Sequence, residues 1–230
     1  MRLLELRPPF EPGSLTDATT TVPATVSPQH RDYQMVREWL TTFVARPHAR
    51  LGRPGDICPR LAPALRRDLV RLVALRTGPA PQPGEAHAKG LALAVLYRQL
   101  FPEDEAFRNG ALLCLCPDLR VEAAARFIDE GHRLLRMDFV ARGLMIGEFH
   151  PASTVGSVHN PQLKVMRCPV PMFAVRALTR HDQLFLDRPG TPAPIRAQYL
   201  RHLMDHLGGR LPASDRTRLQ GRVEALEGAA

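Results

Sequence analysis

The sequence predicts an α+β fold, a small, mostly buried mixed sheet of about four strands covered by helices. Three observations lead to it. Short apolar runs at residues 69–75, 111–116, 144–146 and 172–175 stand between Gly, Pro or Asp, as buried strands do. The longer stretches between and around them carry apolar residues at helical spacing. In chain order the pattern is helix, strand, helix, strand, helix, strand, strand, helix, which suits helices layered on one sheet.

Residues 1–29 hold few large apolar groups and many Pro, Thr and Ala. Such a segment buries too little to offset its ordering entropy, so an extended or disordered arm is expected, with 30–230 as one domain. From Asp32, read as an N-cap, a stripe of Met35, Val36, Trp39, Leu40, Phe43 and Val44 predicts a helix that Pro47 ends. HARLGRPGDICPR, residues 48–60, is irregular by its Gly and Pro content. A short helix over 61–67 precedes the first strand, and GPAPQPG at 78–84 precedes a helix over 85–100. In ALLCLC, alternation puts Cys114 and Cys116 on one strand face as buried structural thiols. Asp118 reads as the cap of a helix running through Leu135. Gly143 introduces the third strand, and Phe173-Ala174-Val175 lies in the fourth. Ile195, Tyr199, Leu200, Leu203, Met204 and Leu207 mark an amphipathic helix ending at Gly208-Gly209, and Ser214 caps a last one to about Leu226.

A hydrophobic share of 44% supports a real core, and 23% charged residues suit a soluble globule. No apolar run nears the roughly 18–20 residues of a membrane span. Glu5 and two early prolines interrupt what a signal peptide needs unbroken, so the cytoplasm is the expected compartment. The net charge of +8 raises nucleic acid as a partner. The excess is almost all Arg, scattered, with Lys89 and Lys164 as the two lysines and no basic run. A small-molecule substrate is therefore expected, without a specific nucleic-acid or membrane partner, and a homodimer is compatible with this reading. The four cysteines form no CxxC pair, and no disulfide framework is expected in a reducing compartment. GxSxG, P-loop, GxGxxG and HExxH signatures are absent, which removes support for the common hydrolase, NTPase and dinucleotide-binding classes.

Candidate chemistry concentrates in residues 143–186, where two strands enclose one polar loop. Glu148 precedes His150 by two positions, so the two share a face wherever the strand continues, and Pro151 stops it. A carboxylate orienting an imidazole, a metal ligand with its partner, and a structural pair at the sheet edge all fit this spacing. His159, in the turn signal His159-Asn160-Pro161, is a second ligand candidate, and with His150 and Glu148 it makes a two-His, one-carboxylate set suited to non-haem iron. Arg167 and Arg176 flank the PVP run. Arg176 interrupts an apolar strand and needs a partner: a ligand carboxylate, or an internal pair with Asp182 or Glu148. Cys58 before Pro59 stands where a helix dipole would favour a thiolate, or is a small group buried under its loop. His30, His87, His132, His202 and His206 are expected on the surface.

HARLGRPGDICP, GLMIGEFHP, HNP, PVPMFAVR and HDQLFL, in that order, resemble an uncharacterised domain family found beside biosynthetic genes. Cys58-Pro59, His150-Pro151-Ala152-Ser153 and Phe185 are also similar, more distantly, to the YqcI/YcgG-like family, which is similar to haem-dependent N-hydroxylases of amino-acid-derived substrates. That resemblance implies a haem-dependent oxygenase of specialised metabolism. It makes His150 the candidate axial ligand, Cys58 part of the site-forming loop, and Arg167 or Arg176 the partner of a propionate or substrate carboxylate. Thr154-Val155-Gly156 stands where that family has arginines.

Overall fold

The computed structural model describes residues 2–6 and 28–228, with side chains from residue 31 onward. The fold is α+β, as the sequence predicts. Helix α1 (Pro28–Trp39) runs on into a π-helical turn, Leu40–Val44, and α2 (Leu61–Arg66) leads into strand β2 (Val70–Leu75). Helices α3 (Pro83–Leu100) and α4 (Asp104–Asn109) carry the chain to β3 (Ala111–Leu115). The next helical stretch is α5 (Val121–Ala124), a second π turn (Ala125–Asp129) and α6 (Glu130–Val140). Strands β4 (Leu144–Phe149) and β5 (Met172–Ala177) follow, then α7 (Gln183–Leu186), α8 (Ala193–Leu207) and α9 (Ala213–Glu227).

The four strands of this body are joined by β1 (Arg2–Leu6), which pairs parallel with β2. Within the expected arm, residues 7–27 lie outside the described residues. The sheet order is β1-β2-β3-β5-β4. β2 and β3 are parallel, whereas β5 runs antiparallel to both β3 and β4. β4 is therefore an edge strand.

Alternation along the strands divides the core between two faces. Phe173 and Val175 of β5 pack with Leu93 and Tyr97 of α3 and Leu135 and Phe139 of α6. Met172, one residue earlier, packs with Val36 and Leu40 from α1 and its π turn and with Leu61 of α2. A third cluster joins α8 to α9 through Leu200, Leu203, Leu219 and Val223 and reaches β4 at Met145.

The helix starts differ from expectation because backbone geometry, rather than the nearest polar residue, sets them. α1 begins four residues before Asp32. Asp118 caps no helix; its carboxylate accepts from the Thr77 and Gly78 amides, 3.1 and 3.0 Å away, and ties two loops together. α9 begins after Pro212, with Ser214 inside its first turn. Helix α4 has no fully buried residue and so no apolar stripe by which the sequence would announce it.

The close contact between α3 and α6 depends on Gly131. A Cβ there would lie 2.5 Å from Ala86 Cβ and 3.1 Å from the Phe173 ring. Ala86 has no rotamer to change and Phe173 is fully buried. Gly131→Ala is expected to destabilise by about 1–3 kcal/mol through overpacking, although alanine is the better helix former by ~1 kcal/mol. Denaturant unfolding would show it as a lower midpoint at unchanged slope.

Candidate active site

A cleft of about 200 Å³ opens beside β4. Met145, Ile146, Gly147, Glu148 and Phe149 all line it. Neighbours in a strand face opposite ways, so the cleft lies on the α1 and α2 side of the sheet and wraps round the edge of β4. Its walls are apolar, with Leu40, Leu113 and Met172 among the lining residues. Trp39 meets Phe149 edge to face at 5.7 Å between ring centres, a geometry that aromatic quadrupoles favour.

Round the edge of β4 the lining becomes polar. Glu148 Oε2 lies 3.2 Å from His132 Nδ1, and the two side chains are 15% and 13% exposed. Burial holds the Glu148 carboxyl above its usual value, against the pull of Arg136 and Arg188. Burial, with repulsion from Arg136, lowers His132 to about 4; a hydrogen bond to the Ile146 backbone works the other way. The carboxyl thus holds a proton more tightly than the imidazole does, and the contact is a hydrogen bond between neutral groups when the pair carries one proton. Arg136, one helical turn after His132 on α6, donates to the Phe185 carbonyl and stacks over the Tyr199 ring at 5.3 Å. Arg188 also lines the cleft and stacks over Phe185 at 5.6 Å.

Arg176 lines the cleft from β5, and its partner is internal. Its guanidinium grips Asp182 at both carboxylate oxygens, 2.8 and 2.5 Å away. Asp182, 1% exposed at its side chain, also accepts from the Thr179 amide at 2.6 Å. The bidentate pair holds β5 to the turn that carries Phe185 and Arg188.

Cys58 lines the cleft too, just ahead of α2, and is half-buried. Cys114, Cys116 and Cys168 are buried, and burial pushes the first two thiols up and Cys168 to about 12. Thiolate is the reactive form. A disulfide reagent is expected to label Cys58 rapidly in the native protein, and all four thiols only after denaturation; a second fast thiol under native conditions would contradict this.

The other expected ligands lie elsewhere. His150 is 1% exposed at its side chain and does not line the cleft; its Nε2 faces the Asp129 carboxylate, 3.1 and 3.2 Å from the two oxygens. Two imidazole–carboxylate pairs thus tie β4 and the residue after it to the helical stretch, Glu148 to His132 and His150 to Asp129. Nδ1 of His150 is buried without a partner among the described residues. His159 is exposed in the loop, and Arg167 donates to the Ser153 carbonyl at 3.0 Å. Neither lines the cleft. Among the described residues no three His, Cys, Asp or Glu side chains converge on a metal position, so His150, His159 and Glu148 do not assemble the non-haem set. Nor do the residues fit a haem held by His150: its Nε2 is engaged, and about 200 Å³ is below the ~300–1,000 Å³ of pockets for drug-sized ligands.

Sequence reasoning missed His132, Arg136 and Arg188. His132, expected on the surface, is largely buried; its i, i+4 spacing puts it on one helix face with Arg136, but only the tertiary fold turns that face toward β4. His87 pairs with Asp138 at 3.1 Å, His206 lies 2.9 Å from the Ala141 carbonyl, and the His30 side chain is outside those described.

Among the described residues no helix is long and apolar enough to cross a membrane. No curated protein and no solved structure matches the sequence. A family model described as a domain of unknown function, DUF6875, matches residues 33–216, a span that takes in α2 to α8, the whole cleft lining and both imidazole–carboxylate pairs. The chain belongs to this family of uncharacterised domains.

Proposed function

We propose that the cleft is the active site of an enzyme that acts on a small, largely apolar molecule by proton transfer, with Glu148 and His132 as the proton-handling pair. The observation that carries this is the 3.2 Å contact between a carboxyl held above its usual range and an imidazole lowered to about 4. Titratable groups displaced by burial and a specific partner, set in a cleft, cluster at functional sites. Here burial raises the carboxyl and lowers the imidazole, and the 3.2 Å contact gives a proton a direct path between them. The cleft supplies the apolar surroundings that sustain both shifts, and the edge-to-face Trp39 and Phe149 give the substrate a wall to pack on.

A haem-dependent oxygenase, the reading that the YqcI/YcgG-like resemblance implies, draws no support from the position of His150. Reconstitution with haem is expected to give no Soret band that His150→Ala alters.

Solvent exchange tests the proton-transfer reading. Small apolar acids and ketones incubated with the protein in deuterium oxide are expected to exchange a C–H next to their carbonyl, followed by proton NMR. Glu148→Gln is expected to slow this by about 10²–10⁴-fold, the usual worth of a general acid–base group. Compounds that bind in the cleft and never exchange would overturn the assignment.

A further inference from the structure

The polar end of the cleft holds two cations whose bonding is incomplete. Arg136 is fixed by its bond to the Phe185 carbonyl and by stacking on Tyr199, yet its Nε is buried with no hydrogen-bond partner. A buried N–H without an acceptor costs about 1–3 kcal/mol, and native structures rarely keep one. Arg188 stacks on Phe185, and its guanidinium has no hydrogen-bond or ion-pair partner among the described residues. No carboxylate lies within ion-pair distance of either guanidinium among those residues, although many of the chain's other arginines find one, as Arg176 does with Asp182 and Arg196 with Asp187. Glu148, a carboxyl on which both guanidiniums act, is engaged with His132. Two guanidinium groups at one end of an apolar cleft, one of them with an orphaned donor, form a receptor for an oxyanion.

We infer that the small molecule bound in the cleft carries a carboxylate, held by Arg136 and Arg188, with its apolar body against the wall that Trp39 and Phe149 form. This rests on the cleft being the functional site and adds the class of ligand. The carboxylate would complete the bonding of Arg136 Nε and lie beside Glu148, where its charge favours the protonated carboxyl and keeps the proton within the pair. Arg176, saturated by Asp182, takes no part in holding it.

Benzoate and benzamide differ in charge and share their shape, which makes them suitable probes. Trp39 is the chain's one tryptophan and lines the cleft, so its indole N–H resonance reports occupancy directly. Titration of the full chain is expected to show benzoate shifting this resonance and binding at least about tenfold more tightly than benzamide, the size of one lost charge-assisted hydrogen bond. Arg136→Gln is expected to abolish that preference. Arg188→Gln, at a half-buried position that leaves the core untouched, is expected to reduce it. Equal binding of the two probes would overturn the inference and leave the cleft standing as a site for apolar molecules. A preference that survives both substitutions would also overturn it. If neither probe moves the Trp39 resonance, both the inference and the proposed function fall.

Discussion

Asp182→Ala is expected to be among the most destabilising single substitutions in the chain, at roughly 3 kcal/mol or more. The carboxylate is buried, holds Arg176 at two points, and accepts the Thr179 amide and hydroxyl. Removing one partner of a buried pair typically costs about 3–5 kcal/mol, because the other charge is left uncompensated. Burial pulls Arg176 toward neutrality and Asp182 outweighs it; with the acid gone that support is lost, but a guanidinium stays protonated in proteins, so the cation persists. The Arg176 side chain is 28% exposed toward the cleft, where water can hydrate the stranded charge, so the lower end of that range applies. Arg176→Met together with Asp182→Leu is expected to recover much of the loss, since an apolar pair replaces the ionic one. Urea unfolding of the two single variants and the double variant gives the coupling. Additive losses would show that the pair is not the unit it appears in geometry.

The second large effect is on the dependence of stability on pH. His132 falls from an ordinary value of 6.5 to about 4 in the folded chain. The unfolded chain therefore takes up a proton between these values while the folded chain does not. A group with a lowered pKa contributes stability that is present above 6.5 and lost as pH falls toward 4. The loss amounts to roughly 3 kcal/mol at about 1.36 kcal/mol per unit. Glu148 acts with opposite sign. Its carboxyl is raised by burial, so its contribution is present below the ordinary 4.5 and is lost as pH rises through the folded value. His132→Gln is expected to flatten the acid limb of the stability profile, and Glu148→Gln to stabilise the chain at neutral pH. An acid limb unchanged in His132→Gln would contradict the buried, neutral imidazole.

Much of the sheet was legible in the sequence because its strands are apolar runs between clear turn signals. The apolar runs 111–116 and 144–146, read as strands from Gly110, Pro117 and Gly143, fall on β3 (Ala111–Leu115) and on the first half of β4 (Leu144–Phe149). Strand order was not legible, since pairing between distant segments leaves no local mark. The site was legible in part. Glu148, Cys58 and Arg176 line the cleft, and the pairing of Arg176 with Asp182 was one of the partners the sequence allowed. His150 drew attention by its place before Pro151, yet that place turns its ring toward Asp129. His132 and Arg136 stayed hidden because α6 carries many charged residues, and spacing alone does not reveal which of them face β4. Arg188 lies between Asp187 and Pro189 in a turn, where only the tertiary fold brings it to the cleft.

The most direct test of the cleft as the functional site is a crystal soaked with a panel of small apolar acids and neutral analogues. The predicted result is density against the Trp39–Phe149 wall, with the carboxylate on Arg136 and Arg188 and the reacting end within hydrogen-bond reach of Glu148 or His132. Ligands that bind elsewhere on the chain, with the Trp39–Phe149 wall bare and the Glu148–His132 contact unchanged, would contradict it.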